Sequence, residues 1–86
     1  MASYKISVKK SAEKELRAIL GPYLKKIVKK IDNLSVNQRP AGCEMLAGEE
    51  RYFRIRQGDY RIVYDVNDAS REVTIVKIGH RREVYR

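Results

Sequence analysis

Tryptophan is absent from this chain, and cysteine, histidine and phenylalanine occur once each. A lone Cys43 cannot close an internal disulfide, so the fold must be held by packing, as in proteins of a reducing cytosol, and a cytoplasmic location is expected. No run approaches the ~18–20 consecutive apolar residues of a membrane span. No charged n-region followed by an apolar h-region opens the chain, so no secretory signal is expected. One histidine and one cysteine, 37 positions apart, cannot form a structural zinc site. No spaced Asp/Glu cluster marks a magnesium pair. Gly58 and Gly79 are isolated, nothing resembles G-x-x-x-x-G-K, and no nucleophile elbow supports a Ser-His-Asp hydrolase. A Cys43–His80 pair is better read as an incidental cysteine. No metal or cofactor is expected.

What is present is positive charge on a small core. The 86 residues make one domain, 1–86, too short for two independent cores. At 43% hydrophobic and 35% charged, the chain has enough apolar residues to bury a thin core of two layers. Nineteen lysines and arginines against eleven acids leave a net charge of +8. That balance suits nucleic acid, an acidic protein or an anionic surface. Its distribution is uneven: eight of nine lysines precede residue 31, and eight of ten arginines follow residue 50. Lysine is a hydrated point charge suited to a solvated helix face, whereas arginine is a planar fork that grips phosphate.

Hydrophobic periodicity orders the elements. Ser3 to Val8 alternates, with Tyr4, Ile6 and Val8 on one side of a half-buried strand. Ser11 is placed to cap a helix, with Glu13 and Glu15 near its positive end and Ala12, Leu16, Ile19 and Leu20 on one face. Gly21-Pro22 marks a tight turn between helices. Leu24, Ile27, Val28, Ile31 and Leu34 then form an apolar stripe opposite Lys25, Lys26, Lys29 and Lys30. Residues 35–50 form a connector in which Met45 and Leu46 tuck against the body; Glu44, Glu49 and Glu50 add acid there without forming a site. From Arg51 the period becomes two, with Phe53 and Ile55 inward and Tyr52, Arg54 and Arg56 outward. A turn at Gln57-Gly58-Asp59 leads to a strand from Tyr60 to Val66, with Tyr60, Ile62 and Tyr64 on one side and Arg61, Val63 and Asp65 on the other. Tyr60 and Tyr64 suit the core better than a base-stacking surface. After a turn at 67–70, Glu72 to Ile78 is apolar on both faces, as in mid-sheet.

The expected fold is therefore α+β, in the order β-α-α-β-β-β, with the tail possible as a short last strand. A helical hairpin covers one face of a small, mainly antiparallel sheet. The other face is open, and Arg54 and Arg56 line it. Whether Arg61 joins them depends on a strand register that periodicity leaves undetermined.

The last nine residues, Ile78 to Arg86, hold the only histidine, three of the ten arginines and a tyrosine. This inventory fits metal-free RNA cleavage. RNA carries its own nucleophile, the 2′-OH, so a protein need only align it, neutralise the phosphorane-like charge and move two protons. Simple RNA binding fits the same residues. Each candidate also has a plainer role: Arg61 solvated or paired with Asp59 or Asp65, Arg81 and Arg82 in a solvated tail, His80 an ordinary strand-end polar residue, and Tyr85 a ring anchoring the terminus.

Tyr52 to Val66, Y-F-R-I-R-Q-G-D-Y-R-I-V-Y-D-V, followed by Val76 to Tyr85, V-K-I-G-H-R-R-E-V-Y, resembles the RelE branch of the RelE/ParE toxin superfamily of type II toxin–antitoxin systems. Length and element order match over essentially the whole chain. The resemblance implies a RelE-like, microbial-RNase-like fold and a ribosome-dependent, metal-independent endoribonuclease. It would cut messenger RNA in the ribosomal A site by 2′-OH attack, leaving a 2′,3′-cyclic phosphate and a 5′-OH and inhibiting translation. By residue, Arg61 takes the place of the arginine that stabilises the transition-state phosphate, and Arg81 that of one protonating the leaving 5′-oxygen or binding phosphate. Tyr85 takes that of the C-terminal tyrosine that orients the substrate. Arg54 and Arg56, with Arg82, are the remaining phosphate-binding candidates. The first two replace lysines of the best-known member, and since arginine is a poor general base, His80 or Tyr85 becomes the candidate for proton transfer. The implied partners are an acidic, partly disordered antitoxin, the ribosome with its messenger, and operator DNA only through the antitoxin complex. A ParE-like gyrase inhibitor and a non-catalytic binding member of the fold are the alternatives.

Overall fold

The computed structural model describes residues 3–19, 21–46 and 49–80. Within them run β1 (Lys5–Val8), α1 (Lys10–Arg17), α2 (Gly21–Asn33), β2 (Glu44–Leu46), β3 (Glu49–Gln57), β4 (Tyr60–Asn67) and β5 (Glu72–His80). The strands form one sheet in the order β1-β5-β4-β3-β2. Only the β1–β5 pair is parallel; the others are antiparallel. The α+β architecture with two helices on a mainly antiparallel sheet is as expected. None of the described helices is long and apolar enough to cross a membrane.

The first helix starts earlier than its sequence signals imply. The Lys9 N–H donates to the Ile75 carbonyl at 3.0 Å, and the Lys9 carbonyl accepts from the Glu13 N–H at 2.8 Å. The sheet thus holds the residue before the helix, which opens at Lys10 with no side-chain cap, and Ser11 lies inside the first turn. Ala12 and Ile19 are buried from this segment, and Leu16 packs against them. The second helix begins at Gly21, so Pro22 falls in its first turn, where a missing N–H costs no hydrogen bond. Its buried stripe is narrower than the sequence implied. Ile27, Ile31 and Leu34 enter the core while Val28, one residue off that line, is 38% exposed. Lys25, Lys26 and Lys29 are exposed, as a solvated face requires.

Residues 35–50 are more structured than a connector. Gln38 donates its amide to the carbonyls of Leu34 and Ser35, both at 3.0 Å, closing the end of α2. The Tyr64 hydroxyl, from a fully buried ring, donates to the Gln38 carbonyl at 2.8 Å. Arg39 lies over the Phe53 ring, 5.1 Å from its centroid, and donates to Asp68 at 2.9 Å. The chain then forms β2, an edge strand that periodicity missed because three residues are too few to show a period. On that edge Met45 is 58% exposed instead of tucked inward.

The core lies between the helices and one face of β3, β4 and β5: Phe53, Ile55, Ile62, Tyr64, Val66, Val73, Ile75 and Ile78. A register shift between Val63 and Tyr64 makes this possible. Tyr64 pairs with Ile75 but Val63 pairs with Lys77, leaving Val76 as an extra residue. Because side chains alternate, the bulge reverses the parity of β5. Val73 and Ile75 face the helices before it, and Ile78 does so after it. Gly58 completes the β3–β4 turn with a φ of 62°, in the left-handed region that glycine enters without strain.

Candidate functional site

Cross-strand partners share a sheet face, so the register places the arginines. Arg54 pairs with Val63 and Arg56 with Arg61. All four lie on the face away from the helices, and the register left undetermined by sequence brings Arg61 beside Arg54 and Arg56. The next strands extend two rows across this face: Glu44, Arg54, Val63 and Lys77 in one, Arg56, Arg61 and Gly79 in the other. Arg56 and Arg61 are thus like charges placed directly opposite each other in the ladder.

Arg54, Arg56 and Arg61 line one cleft of about 210 Å³, together with Ile55, Gly42 and Glu44. Arg61 is only 7% exposed there, its stem resting on the sheet. Glu44 enters from the edge strand, and its Oε1 accepts from Arg54 Nη2 at 3.3 Å. Sequence reasoning assigned Glu44 no role. The signal that finds it is tertiary: pairing of β2 with β3 sets Glu44 opposite Arg54. Among the described residues the cleft therefore brings three arginines beside one carboxylate, the group able to accept a proton where arginine cannot.

His80 stands elsewhere. It pairs with Tyr60, which alternation in β4 already sets on the helix side with Ile62 and Tyr64, and the bulge in β5 turns His80 to the same face, opposite to Arg61. Tyr60 and His80 meet edge to face with centroids 6.0 Å apart, and Tyr23 of α2 lies 6.1 Å from Tyr60. Tyr60 is half-buried at this rim, in contrast to fully buried Tyr64. Arg81, Arg82 and Tyr85 lie outside the described residues. No group of His, Cys, Asp and Glu able to hold a metal occurs among the described residues.

The resolved shifts in protonation lie away from the cleft. Hydrogen bonds from Arg39 and then Tyr4 hold the Asp68 carboxyl below its ordinary range. The same bond to Asp68, 2.7 Å long, raises the Tyr4 hydroxyl. Burial, followed by the neighbouring Cys43, pushes the Tyr64 hydroxyl up. These groups tie the start of the chain, the 35–43 segment and the β4–β5 turn into one support beneath the open face.

No curated protein matches the sequence. Solved structures do. The toxin in an archaeal RelE–RelB complex from Pyrococcus horikoshii superposes with a TM-score of 0.83 at 25% identity, over 92% of this chain and 96% of that one. The isolated RelE toxin of E. coli gives 0.82 at 26% identity, over 96% and 92%. The RelBE2 toxin–antitoxin complex of Mycobacterium tuberculosis gives 0.80 at 25%, over 92% and 99%. A family model described as the ParE toxin of type II toxin–antitoxin system, parDE, matches residues 6–85. With that family covering all but the chain ends and RelE toxins sharing its fold, this chain belongs to the RelE/ParE superfamily of toxins, on the RelE side of the fold.

Proposed function

We propose that this chain is a ribosome-dependent, metal-independent messenger RNA endoribonuclease that inhibits translation. One observation carries the reading: Arg54, Arg56 and Arg61 share one cleft on the open sheet face with the carboxylate of Glu44. Cleavage of RNA through its 2′-OH requires a cationic seat for the phosphate and an acceptor for the hydroxyl proton. The guanidinium of Arg61, buried and set between two strands, binds the phosphate as charge accumulates on its non-bridging oxygens. Arg56, its cross-strand partner, takes a second oxygen. Glu44 accepts the 2′-OH proton as that oxygen bonds to phosphorus and the P–O5′ bond breaks. Arg54, ion-paired with Glu44, orients the carboxylate. The resemblance assigns the proton for the 5′-oxygen to Arg81 and substrate orientation to Tyr85.

The 2′-OH and the scissile phosphate must be held in line, and a cleft this open orients a flexible strand poorly. The ribosomal A site supplies a messenger already fixed in shape, which is the physical reason for ribosome dependence. The +8 charge fits that polyanionic setting. It also fits an acidic, partly disordered cognate antitoxin, as the RelE–RelB complexes of the similar structures suggest. Operator DNA would be met only through that complex. The test is to map messenger ends on translating ribosomes with wild-type and Arg61→Ala protein. Cuts within A-site codons by the wild type alone support the reading, and intact messengers with the wild type overturn it.

The match to the ParE family model favours a second reading, a gyrase-inhibiting toxin of the same fold. Gyrase-dependent DNA damage with intact messengers would establish it instead.

A further inference from the structure

On the helix side of the sheet Tyr60 has two aromatic neighbours, Tyr23 with centroids 6.1 Å apart and His80 with centroids 6.0 Å apart, and the three rings are taken together as the Tyr23–Tyr60–His80 row. Tyr23 is 54% exposed and His80 is exposed, so the row faces solvent at both ends. Below it lies a cleft of about 260 Å³, walled by Ile19 and Ile78 and containing Glu15. The Glu15 carboxylate is held in place there: its Oε1 accepts from the Ile78 N–H at 3.2 Å. A cleft of aromatic and aliphatic walls with a fixed carboxylate repels phosphate. It suits a flat, uncharged ring that carries N–H donors.

This cleft and the arginine cleft lie on opposite faces of the sheet at the same strand ends. Tyr60 and Arg61 are successive residues, as are Gly79 and His80, and the two pairs face each other across β4 and β5. Alternation sends Arg61 to one face and the Tyr60–His80 pair to the other at the same strand ends. A single strand bending over this end of the sheet would meet guanidinium groups on one side and rings on the other.

We infer that the Tyr23–Tyr60–His80 row, with Glu15, is a nucleobase subsite. It takes a base with an exocyclic amino group from the same RNA strand whose phosphate sits at Arg61. The inference rests on the RNA-cleaving reading above. The rings stack on or edge against the base, and Glu15 accepts from its amino group. His80 then acts through its ring face and not as a proton carrier.

The probe is a ribosome carrying a messenger with 2-aminopurine in the A-site codon and a 2′-deoxy sugar at the scissile position. Full-length wild-type toxin should change the 2-aminopurine emission on binding. Tyr60→Leu and His80→Leu should each abolish that change and weaken binding about 5- to 30-fold. His80→Phe should keep both within about twofold, and on a messenger with its 2′-OH intact it should cleave at a near wild-type rate. His80→Leu, at an exposed site, guards against misfolding as the cause. If both leucine variants match the wild type while Arg61→Ala loses binding, the subsite is overturned and the arginine cleft stands. If His80→Phe binds normally but cannot cleave, His80 is a proton carrier and the inference falls. If the wild type leaves a messenger with an intact 2′-OH uncut, the RNA-cleaving reading falls and the subsite with it.

Discussion

Arg61 on β4 faces Gly79 on β5, so the position across the sheet from the buried guanidinium carries no side chain. Gly79 is itself buried. Gly79→Val fits a strand backbone but adds bulk beside Arg61. Messenger cleavage should drop about tenfold or more while antitoxin binding is retained; full activity would show that the added bulk does not reach the guanidinium.

Arg61 itself supplies the fork. Arg61→Ala should lower cleavage by about 10²–10³-fold, the usual loss for a transition-state donor. Arg61→Lys should recover only part, because an ammonium cannot grip two oxygens in one plane. Toxicity assays with both variants and a retained antitoxin complex are the measurement. Equal toxicity of all three proteins would remove Arg61 from the mechanism.

Glu44→Gln keeps the shape of the cleft and removes the proton acceptor. Single-turnover cleavage on ribosomes should slow by about 10²–10⁴-fold. Thermal stability should hardly change, since the Arg54–Glu44 pair lies at an exposed sheet edge and such pairs contribute little. A normal rate would place the base elsewhere, with Tyr85 the next candidate.

The Asp68 cluster predicts the response to pH. Asp68 titrates lower folded than unfolded, so its contribution is present above the ordinary carboxylate range near pH 4 and is lost as pH falls through the lowered value. The tyrosines act in the opposite direction. Tyr4 and Tyr64 titrate higher when folded, so their contribution is complete below about pH 10 and is lost as pH rises through the raised values. Urea midpoints for Asp68→Asn should lie below wild type at neutral pH and converge with it in acid. Tyr64→Phe should lose about 1 kcal/mol with the Gln38 hydrogen bond and show a flatter alkaline decline.

The bulge at Val76 assigns the faces of β5. Deleting Val76 would remove the unpaired residue and leave Ile75, Lys77 and Ile78 in regular alternation, so Lys77 stays on the open face and Ile78 and His80 on the helix side. The denaturant midpoint should therefore stay close to wild type, since no core side chain changes face. A strongly lowered midpoint would mean that the bulge itself, and not only the alternation around it, holds β5 in place.

The long periodic segments were legible because their patterns are local. Alternation in β3 and β4, the Ile27–Ile31 stripe of α2 continued by Leu34 just after it, and the two-sided apolar run of β5 each report a face that must be buried, whatever lies opposite. The same alternation separated Arg54 and Arg56 from Phe53 and Ile55. Four features were decided by pairing between elements. Ser11 lost its capping place because β5 holds Lys9. Residues 44–46 became a strand only by pairing with β3, which carried Glu44 into the arginine cleft and left Met45 outside. Arg61 reached Arg54 and Arg56 through the β3–β4 register. His80 was turned away from them by one extra residue in β5, which no period within that strand announces. Local spacing determines which side of its own element a residue occupies; pairing and bulges determine which residues then share a cleft.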